Sequence, residues 1–284
     1  LHMKNTSIEI LFRIIFIFIQ MNKNEFSFSP NKMSNKDLAP FKVIHPLNPD
    51  HSWFLTCDHA SNNIPHHMNK LGLSQHDINQ HIGWDIGAIG MAQEISKILR
   101  ATLVAGNYSR LIVDLNRPTE SETLIPEIAD KITIPGNLMV SKMEKNNRIS
   151  YFHKSYHNNI SLMLDSLLEN QIKPILVAIH SFTPIFQGFS RPWHVGLLYE
   201  HDDRLVQPLK QALTKYANNI VIGDNQPYAI KGPSDYTIPV HGQNRSLPHI
   251  EIEVRQDLIT TKTQQKIWAK ILSKSLTFAA ELTK

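Results

Sequence analysis

The stretch KPILVAIHSF, residues 173–182, is uninterruptedly apolar from Ile175 to Ile179 and then meets a histidine. With no polar alternation to give it a wet face, it reads as a strand covered on both sides. An amphipathic helical pattern over 145–170 precedes it. The runs VGLLYE (195–200) and NIVIGDN (219–225), with a helical pattern over 203–218 between them, follow it. Upstream, SWFLTC (52–57), ATLVAGN (101–107) and RLIVDLN (110–116) read as further strands, with a helix firm from about Ile89 to Arg100. LPHIEIEVRQDLI (247–259) is a last strand turning into a closing helix over 261–283. Strands alternating with helices predict an α/β fold, a three-layer α/β/α sandwich on a mixed, mostly parallel sheet.

The chain has 284 residues, 42% apolar and 19% charged, enough for one large core. Its net charge of +4 is spread without a basic run, which argues against nucleic acid as a partner. The single cysteine, Cys57, rules out an internal disulfide and suits a reducing, cytoplasmic compartment. No Gly-rich phosphate loop is present, which argues against nucleotide binding at the usual sites. The apolar run at 8–19 spans only twelve residues and contains Glu9 and Arg13, too short for the ~20 residues of a membrane span. It also lacks a small-residue cleavage site. Residues 1–40 are therefore expected to be a dispensable extension, with an interfacial anchor as the other reading, and 41–284 the working domain.

Chemistry gathers at strand ends. WFLTCDH ends in His59 and ILVAIHS in His180, two imidazoles at the carboxyl ends of apolar strands, where α/β folds place their ligands. Each alone reads more readily as a structural histidine, and the repeated placement brings the two readings level; together with one carboxylate they form an open, catalytic type of zinc site. Asp58 adjoins His59 but points to the opposite face of an extended strand. Asp85, in the glycine-containing segment HIGWDIGA, is the expected third ligand, with a helix N-terminal acid as its alternative role. In HIEIEVRQD, alternation puts Glu251, Glu253 and Arg255 on one face. Glu253 is the candidate general base, Glu251 its alternate, and a solvated edge strand the competing reading. Arg110 and the pair Asn116–Arg117 are candidate substrate-carboxylate contacts, against simple pairing with Asp114 or Glu120. Arg191 is a candidate oxyanion partner. His157, one turn from His153, is expected to contact substrate rather than a second metal.

Taken in order, CDHASNNIP, HIGWDIGA, SRLIVDLNRP, YHNNI, AIHSFTP, RPWHVGLLY and IEVRQDLI resemble the N-formylglutamate amidohydrolase family, from about Phe41 to the last helix. The resemblance implies a zinc-peptidase-like sandwich and a small-molecule N-acyl amino acid as partner. It also implies hydrolysis of N-formyl-L-glutamate to formate and L-glutamate, a step of histidine degradation. One Zn²⁺ on His59, Asp85 and His180 is implied, with Glu253 as the late-strand glutamate and Asn116–Arg117 as the carboxylate anchor. Two features depart from the related carboxypeptidase pattern. Asn62 stands where a glutamate would be, and HSFTP with RPWHVG points to a branch whose acyl group is open. A related N-acyl amino acid deacylase, a non-catalytic zinc-dependent binding protein, and a cysteine hydrolase using Cys57 are the alternatives.

Overall fold

The computed structural model describes residues 25–230 and 234–283. Seven strands make the main sheet: β1 (Phe41–Ile44), β2 (Trp53–Cys57), β3 (Thr102–Gly106), β4 (Ile175–Phe182), β5 (Val195–Leu198), β6 (Ile222–Asp224) and β7 (His249–Arg255). Their spatial order is β1-β3-β2-β4-β7-β5-β6. The central four, β3, β2, β4 and β7, run parallel, and β1 and β5 join them antiparallel on either side. β6 pairs parallel with β5. The sheet is thus mixed and mostly parallel, as the alternation of strand and helix patterns predicts.

Side-chain parity then sorts the two faces. On one, Leu55, Val177, Ile179, Ile250, Ile252 and Val254 pack into a core with helices α1 (Ala88–Leu99), α3 (Val206–Tyr216) and α4 (Lys262–Leu282). On the other, Phe54, Val104, Leu176 and Ala178 meet Tyr156, Ile160 and Leu164 of helix α2 (Ser155–Glu169). His180 continues the parity of Leu176 and Ala178, and Glu251 and Glu253 oppose that of the buried isoleucines. Both glutamates therefore project on the α2 side. Since β7 lies between β4 and β5, the solvated-edge reading of HIEIEVR does not hold: Glu251 and Glu253 are only 3% and 5% exposed.

One predicted strand is absent. Residues 110–116 carry a β-like apolar run but fold as turns, burying Leu111, Ile112, Val113 and Leu115 without joining the sheet. Ile112 N–H donates to Ser109, and Asn116 N–H to the Asp114 side chain (2.9 Å). These local Asx-type bonds take the place of a strand ladder.

Phe28, among the residues before 41, is packed into the domain. Its ring is buried against Phe152 at 4.8 Å, and its N–H donates to Glu144. The apolar run at 8–19 lies outside the described residues. Among those described, no helix is long and apolar enough to cross a membrane.

Candidate metal and hydrolytic site

The carboxyl ends of β2 and β4 deliver His59 and His180 side by side, their ring centroids 5.1 Å apart. Asp85 closes the group from the loop before α1. That loop is strapped down on both sides: Asp85 N–H donates to His59 O, the Ser181 hydroxyl to Ile86 O and the Ser109 hydroxyl to Gly83 O. Gly87 then turns the chain into α1 at φ 82°, where a β-carbon would strike the Ile259 carbonyl.

Both imidazoles present Nδ1 to the same oxygen. Asp85 Oδ2 lies 2.8 Å from His180 Nδ1 and 3.4 Å from His59 Nδ1. The far nitrogens are held by two other aspartates. His59 Nε2 donates to Asp114 Oδ1 (2.7 Å), and His180 Nε2 sits 3.2 Å from Asp58 Oδ2. Asp58 is fixed in turn by the Tyr156 hydroxyl of α2 (2.7 Å), and Asp114 by a two-pronged contact from Arg110 (2.9 and 2.7 Å). Each ring thus has one nitrogen facing a carboxylate, hydrogen-bonded to it in His59 and in ion-pair contact in His180, and the other directed at a common point, the arrangement that orients histidine ligands.

The electrostatics fit a cation. Burial alone would push the aspartates up, but His59 and His180 hold Asp85 far below the ordinary carboxylate range. His180 keeps Asp58 down at about 2, and Arg110 with His59 keeps Asp114 well below its usual value. Against burial, His180 is held well above its ordinary value by Glu251, Asp58 and Asp85. His59 is raised by Asp114 and Asp85 against both burial and Arg110. Three ionised carboxylates around one guanidinium demand two more positive charges, since buried charge must be compensated. Two protonated imidazoles supply them, and one divalent ion on neutral imidazoles would supply the same. His59, Asp85 and His180 could hold a metal ion: their donor atoms lie within 4.8 Å of one another. Two imidazole nitrogens and one carboxylate oxygen are a donor set that suits zinc.

Glu253 is the register partner of His180 across the β4–β7 pair. Its Oε2 is buried without a hydrogen-bond partner, and burial raises its pKa to about 8. Glu251, likewise raised to about 8 by burial, accepts a 3.4 Å contact from the Asn116 amide. Asn116 Oδ1 accepts from the N–H groups of Tyr236 and Thr237, so this side chain ties three segments together. Arg117 NH1 is 2.9 Å from Asp235 Oδ1. Arg110 NH1 approaches Asp85 to 3.6 Å beside the candidate ligands. Arg191 packs on the Tyr228 ring, 4.8 Å from its centroid, and its NH1 donates to the Tyr228 hydroxyl (3.0 Å). His157 is set back from these groups: its Nε2 donates to Leu115 O (2.7 Å) and its Nδ1 meets His241 at 2.9 Å. Asp58, Asp114 and Tyr156 supply the ring-holding contacts. Asp58, next to His59 in the chain, and Asp114, the alternative partner read for the arginines, carried a signal in the sequence; Tyr156 carried none.

Those contacts carry a prediction. Asp114→Asn keeps the size of the side chain but removes the charge that orients His59, and should weaken metal affinity by about 10–100-fold. Titration of the variant with zinc against a competing chelator checks this, and wild-type affinity would rule out the orienting role.

The profile of the family described as N-formylglutamate amidohydrolase matches residues 51–260. Gene product Atu2144 from Agrobacterium tumefaciens has a crystal structure similar to this chain, with 29% identity and a TM-score of 0.84 over 88% of this chain and 98% of that one. The N-formylglutamate amidohydrolase from Ralstonia eutropha JMP134 shares the fold at 16% identity and a TM-score of 0.64, over 86% and 98% of the two chains. None of the curated proteins matches this sequence.

Proposed function

The chain belongs to the N-formylglutamate amidohydrolase family, and on that premise we propose that it is a zinc-dependent amidohydrolase. Its substrate is a small N-acyl amino acid, foremost N-formyl-L-glutamate, cleaved to formate and L-glutamate. The observation that carries this reading is the convergence of His59 Nδ1 and His180 Nδ1 on Asp85, with the Glu253 carboxyl on the neighbouring strand. A divalent ion held by His59, Asp85 and His180 would supply a Lewis acid for the acyl carbonyl and acidify the attacking water.

The protein's own groups do the rest. Glu253, with one oxygen unengaged, accepts the proton of the water as it attacks and passes it to the departing amine nitrogen. Arg110, anchored on Asp114 and reaching toward Asp85, meets the negative charge that develops on the carbonyl oxygen. Arg117 and Asn116 border the site from the 114–117 turn. Cys57 offers no rival nucleophile: it is fully buried and burial raises its pKa, so no thiolate is available for attack.

The test is formate release. Zinc-loaded protein should free formate from N-formyl-L-glutamate, lose the activity on chelation and regain it when zinc is restored. A panel extended to N-acetyl and N-succinyl amino acids identifies the acyl group. Absence of turnover on every member would refute hydrolysis.

A further inference from the structure

Three guanidinium groups surround the candidate site, and two are already committed. Arg110 spends Nε and NH2 on Asp114 Oδ2. Arg117 is neutralised by Asp235 at 2.9 Å. Arg191 differs from both: only 5% exposed, it pairs with no carboxylate among the described residues. Its NH1 donates to Thr183 O (3.3 Å) and to the Tyr228 hydroxyl (3.0 Å). The Nε–NH2 edge, the side of the fork that takes a carboxylate in two parallel hydrogen bonds, has no partner among the described residues.

The surroundings hold this cation in place without neutralising it. Its guanidinium carbon lies 4.7 Å from the Phe186 ring centroid, 4.8 Å from Tyr228 and 5.8 Å from Phe182. Aromatic faces attract a cation and restrain its plane, yet leave it the full charge to offer a ligand. Phe186 comes from the two-stranded ribbon of Ile185–Phe186 with Phe189–Ser190, which ends at Arg191. Tyr228 is positioned by backbone: the Gln226 carbonyl rests on Gly196 and Gly223, where any β-carbon would collide with it. Gly196 is the register partner of Glu253, so the loop is seated beside the strand that carries the candidate base. The charges of Arg110 and Arg191 both reach Glu253.

We propose that Arg191 and Tyr228 form the receptor for a carboxylate on the amine side of the scissile bond. The Nε–NH2 edge donates two parallel hydrogen bonds to the anion. Tyr228, whose oxygen already accepts from NH1, turns its own O–H to the same group. The assignment rests on the hydrolytic reading above and narrows its substrates to N-acyl amino acid anions, excluding neutral amides and peptide interiors.

Two measurements test it. The first is calorimetric binding of N-formyl-L-glutamate and of its neutral diamide to the metal-free protein. The second is hydrolysis of the same pair by the zinc-loaded protein. The wild type should bind and cleave the acid and discriminate against the diamide. Arg191→Gln should weaken binding of the acid by about 10–100-fold, the range of a charge-assisted hydrogen-bond pair, and should raise KM more than it lowers kcat. Arg191→Lys, which keeps the charge but not the fork, should recover part of the loss. Tyr228→Phe, at a half-exposed position that tolerates the change, should weaken binding by about 3–10-fold. Equal binding of acid and diamide by the wild type, or unaltered binding by both Arg191→Gln and Tyr228→Phe, would overturn the receptor. If Arg191→Gln does not fold, Arg191→Lys and Tyr228→Phe decide. Absence of hydrolysis with intact, Arg191-dependent binding would sink the reaction and leave the receptor standing.

Discussion

Replacing Glu253 by Gln is expected to lower kcat by about 10²–10⁴-fold, the range typical of a general acid–base group, while metal content stays at the wild-type level. The substitution preserves shape and one hydrogen-bond acceptor but removes the ability to take up a proton. Glu253 is not among the three residues whose donor atoms cluster, so the ion should stay where it is. Stability should move the other way. In the metal-free folded chain this buried carboxyl, raised to about 8, is mostly protonated at neutral pH and ionised in the unfolded one. A cation held by His59, Asp85 and His180 would favour the ionised form that a base requires. The carboxyl's contribution to the metal-free chain is therefore fully present below the ordinary glutamate pKa and is lost as pH rises through about 8. Gln carries no such penalty, so the melting temperature of the metal-free variant should fall less than that of the wild type between pH 5 and pH 8. A variant that melts higher, binds zinc and turns over slowly separates a chemical loss from a folding loss. Undiminished kcat would remove Glu253 from the role of base and leave Glu251, at the same parity two residues earlier, to be tried.

The contrast between Glu253 and the turn at 110–116 shows how far the sequence could be read. KPILVAIHSF and SWFLTC declare themselves because their apolar runs are stable where a sheet is covered on both faces. RLIVDLN has the same composition and does something else. Asp114 captures the Asn116 N–H locally, while its own N–H donates to Leu124 O and Asn116 Oδ1 accepts from the N–H groups of Tyr236 and Thr237, distant contacts that a local pattern does not reveal. Alternation placed Glu251 and Glu253 on one face. Whether the face was wet depended on β5 docking antiparallel beside β7, a long-range pairing that strand patterns do not reveal. At the site, parity removed Asp58 from the ligand set. The same parity sends it to the far nitrogen of His180, a role visible only once β2 and β4 are adjacent. In the sequence Arg110 and Arg117 read as carboxylate contacts and Arg191 as an oxyanion partner. Their partners, Asp114, Asp235 and the Tyr228 ring, distinguish them.

His180→Ala should abolish metal binding and, with it, turnover. Two donors, His59 and Asp85, would be left of a site that needs three protein ligands to hold zinc and keep a fourth position open. Zinc content should fall from about one ion per chain to a trace, and added zinc should no longer raise the melting temperature. The variant also strands Asp58 and Asp85, both buried, beside an empty volume. Breaking a buried charged pair by removing one partner typically costs about 3–5 kcal/mol, so the metal-free variant should melt below the metal-free wild type. His180→Gln guards against reading collapse as metal loss. Its amide can still donate to Asp58 while offering no imidazole nitrogen, so it should fold better than the alanine variant and still fail to retain zinc. The pair discriminates among the remaining readings. A thiol-based hydrolase would keep its activity in the chelated wild type and lose it in Cys57→Ala. A zinc-dependent binding protein would lose its ligand together with its metal and show no turnover to begin with. Zinc retained in both His180 variants would mean that the two imidazoles do not share an ion, and the hydrolytic centre would have to be sought elsewhere in the fold.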